Sequence, residues 1–353
     1  MFTTTFENSV IELGAQWIIG SDHNPLYSLS SISRVSRAKS ERSGPNRFLQ
    51  EMIRLSSCSN SKRMNVSSWC INPADAMDDD MSLGGMQNMT SFIHNTLDSM
   101  ENIRIDFNAI VTDISAGQGM TTVFLNDSRS ISAPFVLSTI PIGVLQSGEI
   151  HFNPPLPTQV YDAIHNIQSV ATTTVHLKFS SPFWGKQHYY SIPMEDSDTW
   201  LDITNIQSFT GESLLVIHPS HAASMRMENQ SDTQVVAEVM DSLSSVFEAT
   251  PTWPESFLIS RWGLHPFARG SFSVLTACSL PNDRATLREP VGGGLLIAGE
   301  AVASKSPGTL QGAYLSGLEQ AERILDAIRV SREGICITTE QCSQNGWTPM
   351  QSN

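Results

Sequence analysis

The segment 292–328 constrains most strongly how this chain can fold. Residues 292–299 form an apolar stretch bounded by glycines, which predicts a buried strand, and residues 310–328 carry the clearest helical periodicity in the chain. The first N–H groups of such a helix lack partners inside it and favour a partial negative charge in front of them. Two interpretations follow: a ligand site at this helix terminus, or a helix end that is capped and packed by its small residues.

Apolar spacing predicts further elements. Helical spacing predicts helices at 84–97 and 235–243, and alternation predicts strands at 103–107, 111–114, 123–125 and 175–179. The apolar run from Phe135 to Leu145 predicts a buried strand that ends near Pro141 and Gly143. In the last helix, the predicted inner face consists of Ala313, Tyr314, Gly317, Ala321, Ile324, Leu325 and Ile328. Together these elements indicate an α/β fold with a mixed sheet, or a mixed α+β fold.

The charge balance narrows the classes of partner. Lys and Arg number 21 and Asp and Glu number 35, which gives a net charge of −14. Such a surface repels polyanions, so we expect no binding to nucleic acid or anionic membranes, whereas a small cationic ligand is compatible with it. No apolar stretch approaches the ~18 residues that a membrane span needs. The 5 cysteines, which lack a CxxC spacing, predict neither a disulfide framework nor a metal site, and we expect a cytoplasmic, reducing location.

Four short segments combine glycine, proline and aromatic residues in a recognisable order. They are residues 11–20 (IELGAQWIIG), 138–157 (from STIPIGVL to HFNPPLP), 262–273 (WGLHPFARGSFS) and 296–317 (from LIAGE to PGTLQGAYLSG). Taken singly, each fits an ordinary structural role such as a turn, a strand end or a core tryptophan. Taken in order, they resemble the flavin-dependent amine oxidases, and most closely their polyamine oxidase and spermine oxidase branch.

This resemblance implies a two-lobe, FAD-linked fold of class α/β with an incomplete Rossmann-like FAD domain. The implied FAD-domain segments are 1–20, 84–150 and 291–330, and the mixed-sheet substrate domain is 151–290. Residues 21–83 then form a reduced helical or linker segment, and residues 331–353 form a loose tail. The 353 residues agree with the soft expectation of roughly two domains for a chain of this length.

The resemblance also assigns cofactor-binding residues. By matching position, Gly14, Ala15 and Trp17 line the isoalloxazine, Val111 contacts the adenine and Trp262 sits by the ring. The residues implied on the side of the phosphate, ribityl and pyrimidine groups are Gly299, Glu300, Thr309 and Leu310. No metal is implied.

The chain departs from the family pattern at several positions. It contains no GxGxxG, the fingerprint that binds a pyrophosphate at a helix terminus. The position of the family lysine is Thr174, and the position of the histidine of the polyamine branch is Ile19. Between Gly20 and Gly84 lie 84 − 20 − 1 = 63 residues, fewer than the family uses for its helical substrate lobe. No catalytic residue is therefore assigned.

Three functions stay open. The resemblance implies FAD-dependent oxidation of an amine, above all a polyamine, with hydride transfer to the flavin and release of peroxide after reaction with oxygen. The first alternative is an inactive remnant or interaction protein that cannot retain FAD, which the missing fingerprint favours. The second is an oxidase for another amine or an amino acid, since substrate specificity lies in the lobe that is least recognisable here. The oligomeric state stays open.

Overall fold

A computed structural model describes most of the chain. It covers residues 3–6, 9–13, 15, 17–18, 24–33, 35, 37–39, 80–82, 85–117, 119–193, 200–276 and 278–333. Gly14, Ile19 and most of the predicted segments 21–83 and 331–353 lie outside these residues.

Strands and helices alternate irregularly along the described residues. The strands are β1 (Thr3–Phe6), β2 (Ser9–Glu12), β3 (Trp17–Ile18), β4 (Arg37–Lys39), β5 (Asp80–Ser82), β6 (Val111–Ala116), β7 (Thr121–Leu125), β8 (Ser130–Ala133), β9 (Val136–Ser138), β10 (His151–Asn153), β11 (Ile167–Val170), β12 (Val175–Lys178), β13 (Tyr189–Pro193), β14 (Trp200–Asn205), β15 (Leu214–Pro219), β16 (Ser256–Ile259), β17 (Phe272–Leu275) and β18 (Leu295–Ile297). The helices are α1 (Pro25–Ile32), α2 (Gln87–Asp98), α3 (Ile142–Ser147), α4 (Thr158–Asn166), α5 (Gln207–Thr210), α6 (His221–Met227), α7 (Asp232–Phe247), α8 (Asp283–Arg288), a 3-10 turn (Glu300–Val302) and α9 (Leu310–Glu333).

The described residues fall into two compact units. The first unit takes them from 1–57, 63–103 and 170–265, and the second from 58–62, 104–169 and 266–353. This division differs from the predicted domains, because residues 1–20 group with 170–265 instead of with 291–330. Ile11 of β2 packs against Leu214 and Val216 of β15, a contact between segments far apart in sequence. The functional assignment of the predicted domains stays a prediction.

The first unit is built on a sheet of five strands in the order β13-β14-β15-β12-β16. Strand β12, the fourth in this order, pairs antiparallel with both β15 and β16. On one face Val175 and Leu177 are fully buried and pack with Val235 and Val239 of α7. Alternation places His176 on the opposite face, level with Val216 and Leu258. Strand β12 therefore buries apolar side chains on one face and the polar His176 on the other.

The second unit contains a sheet in the order β10-β6-β7-β8 and two separate pairs, β11 with β17 and β18 with β9. The β18 and β9 strands run parallel, with Leu296 opposite Leu137. The residues 295–297 of β18 are almost completely buried, as expected for a strand in a parallel pair. Ile297 joins a core with Ile164 of α4 and Leu287 of α8. This core holds β18, and with it the turn that follows, in place.

The sequence predictions for secondary structure are confirmed for α2, α7, α9, β6, β7, β12 and β18. The strand predicted from residue 135 forms as β9, but it ends at Ser138, earlier than predicted, and the helix α3, which was not predicted, begins at Ile142. A short apolar run does not distinguish a strand from a helix, and Pro141 between them cannot donate to a sheet ladder. No strand forms at 103–107, where Phe107 is 69% exposed.

The buried face of α9 also differs from the predicted one. Gly312, Ser316 and Gln320, spaced four residues apart, are buried, whereas Tyr314 and Leu325 are exposed. The Gln320 side-chain amide donates to the Arg288 carbonyl at 2.8 Å. Apolar periodicity missed this face because its buried positions are small or polar and find hydrogen-bond partners on neighbouring segments.

Cys278 is disulfide-bonded. A cysteine spacing that predicts no disulfide framework therefore does not exclude a single disulfide, since linear spacing does not show which cysteines the fold brings together. Among the described residues, no helix combines the length and apolarity needed to cross a bilayer.

Candidate functional site

Glu300 lies at the centre of a polar cluster in the second unit. It opens the 3-10 turn that follows β18, and its Oε2 accepts hydrogen bonds from the Ser273 hydroxyl at 2.7 Å and from the Gly308 N–H at 2.9 Å. Neither of these two hydrogen bonds involves Oε1. One oxygen of this carboxylate is thus fixed by the protein, and the other can accept a donor from a ligand.

Arg284 of α8 is hydrogen-bonded to this cluster. It is 8% exposed, and its Nη1 donates to the Ser273 hydroxyl at 2.9 Å and to the Ala301 carbonyl at 2.5 Å. Its Nη2 donates to the Ser273 carbonyl at 3.3 Å. Burial lowers the pKa of Arg284, and the charge of Glu300 acts in the opposite direction. The guanidinium therefore stays charged while hydroxyl and carbonyl oxygens surround it.

The pKa of Glu300 reflects two opposing effects. Burial raises it, and the Ser273 hydroxyl, Arg284 and the Gly308 N–H lower it. Burial disfavours a carboxylate, whereas donors and a nearby cation favour it. The protonation of Glu300 is consequently sensitive to the groups that bind its fixed oxygen.

Gly299, immediately before Glu300, is held by α9. Its N–H donates to the Ser316 hydroxyl at 2.8 Å, and that hydroxyl lies 2.9 Å from the Gly299 carbonyl. The φ angle of Gly299 is 133°, and a Cβ added there would meet no atom within 4 Å. The backbone conformation suits glycine, and the space beside it is open to an approaching ligand.

The start of α9 is capped by Thr309. Its hydroxyl accepts from the Gly312 N–H at 3.0 Å and donates to the Ser306 carbonyl at 2.6 Å. A Cβ on Gly312 would lie 2.1 Å from that same carbonyl, so only glycine allows the loop to approach the helix this closely. The helix end is therefore capped, and the Glu300 to Gly308 bond places the carboxylate beside it.

Thr174, at the predicted lysine position, belongs to a neutral cluster in the first unit. Its Oγ1 lies 2.8 Å from Ser260 Oγ and 3.2 Å from His176 Nε2, and its N–H donates to Ser260 Oγ at 2.8 Å. His176 is fully buried, and its Nδ1 has no hydrogen-bond partner among the described residues. Burial, followed by the nearby His218, lowers the pKa of His176 to about 3. His176 is therefore neutral near pH 7.

Trp262 is fixed in the first unit by two contacts around its turn. Its Nε1 donates to the Leu13 carbonyl at 2.6 Å, and the N–H of the next residue, Gly263, donates to the buried Glu228 carboxylate at 2.7 Å. Since Leu13 follows β2, this bond joins the segment of the IELGAQWIIG motif to Trp262. The two segments were matched separately in the sequence.

The structure places the predicted site residues as follows. Gly299, Glu300 and Thr309 lie together in the second unit, with Leu310 as the first residue of α9. Val111 begins β6 in the same unit and is half-buried. In the first unit Ala15 is half-buried and Trp17 begins β3. Gly14 and Ile19 lie outside the described residues.

Sequence reasoning missed four residues that hold these positions: Ser273, Arg284, Ser260 and His176. Ser273 ends a matched motif, which is a signal that it matters, but its partner was not apparent. Arg284 gave no signal, because one arginine in a short helix is ordinary in a sequence. Within the described part of the chain, no group of three or more His, Cys, Asp or Glu residues could hold a metal ion.

The chain is similar to known proteins of one family. The family profile described as "Flavin containing amine oxidoreductase" matches residues 38–325. The chain is 31% identical over 231 residues to polyamine oxidase 1 of Zea mays, covering 63% of this chain and 45% of that protein. It is 32% identical over 243 residues to histone demethylase-like protein A of Aspergillus fumigatus, covering 63% of this chain and 22% of that protein. The chain thus spans less than half the length of these relatives.

Solved structures show the same fold. Wild-type putrescine oxidase bound to putrescine superposes with a TM-score of 0.68 at 17% identity, over 92% of this chain and 90% of that one. Cyclohexylamine oxidase from Brevibacterium oxydans gives a TM-score of 0.68 at 16% identity, over 91% and 88% of the two chains. The predicted amine oxidase fold of mixed helices and sheets is confirmed. With four-fifths of its length matched by one family profile, the chain belongs to the flavin containing amine oxidoreductases.

Proposed function

We propose that this chain binds FAD and oxidises an amine. The single observation that carries the proposal is the arrangement of Glu300, one oxygen of which is held by two donors while the other is left for a ligand. The open space beside Gly299 provides room for that ligand. Both features fit the hydroxyl-bearing part of a flavin nucleotide, so the residues present suit the cofactor of the family.

Residues of the second unit would serve this cofactor. Glu300 Oε1 would accept a hydrogen bond from a hydroxyl, and the capped start of α9 would favour negative charge nearby. When bound, FAD supplies a two-electron acceptor for the C–H bond beside an amine. The protein contributes binding, orientation and exclusion of water.

For the substrate we propose a polyamine, reacting with oxygen as the electron acceptor. The excess of 35 acidic over 21 basic residues favours the approach of a polycation. Relatives named polyamine oxidase support this choice. Putrescine, the ligand of the superposed oxidase, belongs in the same substrate panel.

The test begins with cofactor binding. The purified chain is saturated with FAD, freed of excess cofactor and examined by visible absorption, and peroxide release is then measured with spermine, spermidine and putrescine. We expect retained flavin and peroxide formation. E300A should bind FAD about 10- to 100-fold more weakly, the effect of losing a hydrogen bond to a charged group. E322A, on the exposed surface of α9, is the matched control. A chain that retains no flavin at saturating FAD would refute the proposal.

A second candidate function is flavin binding without oxidase turnover. The observation that favours it is the neutral environment of Thr174, whose hydroxyl is engaged by Ser260 and His176 where the family pattern has a lysine. T174K decides between the two functions, with T90K on the exposed surface of α2 as control. If the wild-type chain binds flavin and releases no peroxide whereas T174K does, the second candidate is correct. If the wild type turns over polyamines, it is wrong.

A further inference from the structure

The hydrogen bonds from Arg284 to Glu300 can run in one direction only. A guanidinium has no acceptor, so Arg284 must donate to the Ser273 hydroxyl at 2.9 Å. A carboxylate has no donor, so the single proton of Ser273 must point to Glu300 Oε2 at 2.7 Å. The chain of bonds therefore has a fixed polarity, and the positive charge of Arg284 strengthens the donor that holds Glu300.

Burial makes this arrangement unusual. Arg284 is 8% exposed and Ser273 is 3% exposed, and Arg284 donates to hydroxyl and carbonyl oxygens instead of to a carboxylate. A buried charge ordinarily requires a partner of opposite sign or a full set of hydrogen bonds. Here oxygens of Ser273 and Ala301 accept from Nη1 and Nη2, Nε has no partner among the described residues, and the nearby Glu300 carboxylate supplies the opposite charge. We therefore expect the buried Arg284 to act mainly on the charge and orientation of the Glu300 carboxylate.

We propose that Arg284 and Ser273 are positioning residues of the flavin site, which hold Glu300 by one oxygen and so present the other to a hydroxyl of the cofactor. This inference rests on the proposed function and deepens it, because it assigns the two residues that set the orientation and charge of the carboxylate. Neither residue needs to touch the flavin. Their effect passes through Oε2 of Glu300.

The groups that face Glu300 come from three elements. Arg284 on α8 is the charged one, β17 contributes the Ser273 hydroxyl, and the turn before α9 contributes the Gly308 N–H. Lys305, in the same turn, is exposed. Asp283, beside Arg284, accepts from the Leu280 N–H at 2.6 Å and faces Asn166. A change in the titration of Glu300 after substitution of Ser273 or Arg284 therefore reports on this chain of bonds.

The first experiment uses the chain without flavin. The carboxyl carbon of Glu300 is followed by 13C NMR during a pH titration and assigned with E300Q. We expect its midpoint to rise by about one pH unit in S273A and in R284K, because each loses a donor or its alignment. Lysine keeps the positive charge but cannot reach the three acceptors that the planar guanidinium reaches. The control S304A removes a comparable bond to Glu319, 3.2 Å long, on the surface, and should leave the midpoint unchanged.

The second experiment measures the Kd for FAD by fluorescence at pH 6 and pH 8. S273A and R284K should bind about tenfold more weakly than the wild type and S304A, with the larger loss at pH 6, where a greater share of Glu300 is protonated. A role confined to stability would not produce this pH difference.

Each outcome decides a separate point. An unchanged Glu300 midpoint in both variants would overturn the inference, whatever happens to FAD. A raised midpoint with unaltered FAD affinity would overturn the role towards flavin and leave the proposed function intact. A wild-type chain that binds no FAD would overturn the proposed function and the flavin role together, while the NMR midpoints would still decide whether Arg284 and Ser273 control Glu300.

Discussion

Each unit contains a buried serine that links two other polar groups by hydrogen bonds. The electrostatic consequences differ between the two units. Ser273 links Arg284 to Glu300, so its hydroxyl lies between a cation and a carboxylate. Ser260 links the backbone and hydroxyl of Thr174, and the next group in that cluster is the neutral His176. One cluster therefore depends on charge, and the other depends on keeping charge out.

The difference between the charged and the neutral cluster indicates which of them can bind a ligand. In the charged cluster the Ser273 hydroxyl and the Gly308 N–H both bind the same carboxylate oxygen, so neither bond occupies the other oxygen. In the neutral cluster the hydroxyl groups satisfy one another, and a proton on His176 would be buried without a counter-ion. The first cluster suits a polar cofactor, and the second resists protonation.

The largest expected effect comes from the buried arginine. R284M should lower the free energy of unfolding by about 2–4 kcal/mol, because it strips a buried carboxylate of its cation and leaves acceptors of Ser273 and Ala301 without donors. R329M removes an exposed arginine, 3.1 Å from Asp326, and should change stability by less than about 0.5 kcal/mol. Chemical denaturation measures both. Equal effects would mean that the charged cluster contributes nothing through its burial.

The next effect concerns pH and the neutral cluster. Since the pKa of His176 falls from 6.5 to about 3 on folding, the unfolded chain binds the proton more tightly. Stability is fully present above pH 6.5 and declines as the pH falls towards 3, by about 2 kcal/mol between pH 7 and pH 5. H176L should abolish this part of the decline in denaturation measurements at the two pH values. If H176L and the wild type lose the same stability, His176 is not buried in the neutral form.

A smaller effect is expected for the serine of the neutral cluster. S260A should cost about 1–2 kcal/mol, because the buried N–H and hydroxyl of Thr174 lose their acceptor. Ser245 bonds a helical carbonyl at 3.2 Å on the surface, so S245A should cost less than about 0.5 kcal/mol. The loss in S260A should be equal at pH 6 and pH 8. A clear pH dependence would contradict the neutral character of this cluster.

The smallest effect is expected at the tryptophan. W262F keeps the aromatic surface but removes the N–H that donates to the Leu13 carbonyl, which should cost about 1 kcal/mol. W253F changes a half-exposed tryptophan and serves as control. Thermal denaturation of the two variants measures the difference. Identical midpoints would show that the Leu13 bond does not hold the first unit together.

Secondary structure was predicted correctly from the sequence where the buried apolar residues recur at the spacing of a strand or a helix. The apolar residues of β12 and α7 alternate or recur at helical spacing, and both elements form as expected. Prediction failed at the end of the apolar run 135–145, which lacks a distinctive period, and on α9, where the buried positions are Gly312, Ser316 and Gln320. Periodicity records which side chains are apolar and carries no information on buried polar residues that find partners elsewhere.

The sequence by itself determined the elements whose burial follows a period, such as β12 and α7, and the family motifs that led to Gly299, Glu300 and Thr309. Only the tertiary structure decided that Arg284, Ser273 and Glu300 form one chain of hydrogen bonds across separations of 11 and 27 residues. The reason is physical. A hydrogen bond requires two atoms to lie about 3 Å apart in a suitable direction, and only the packing of β17, α8 and the turn after β18 brings these three side chains to that distance.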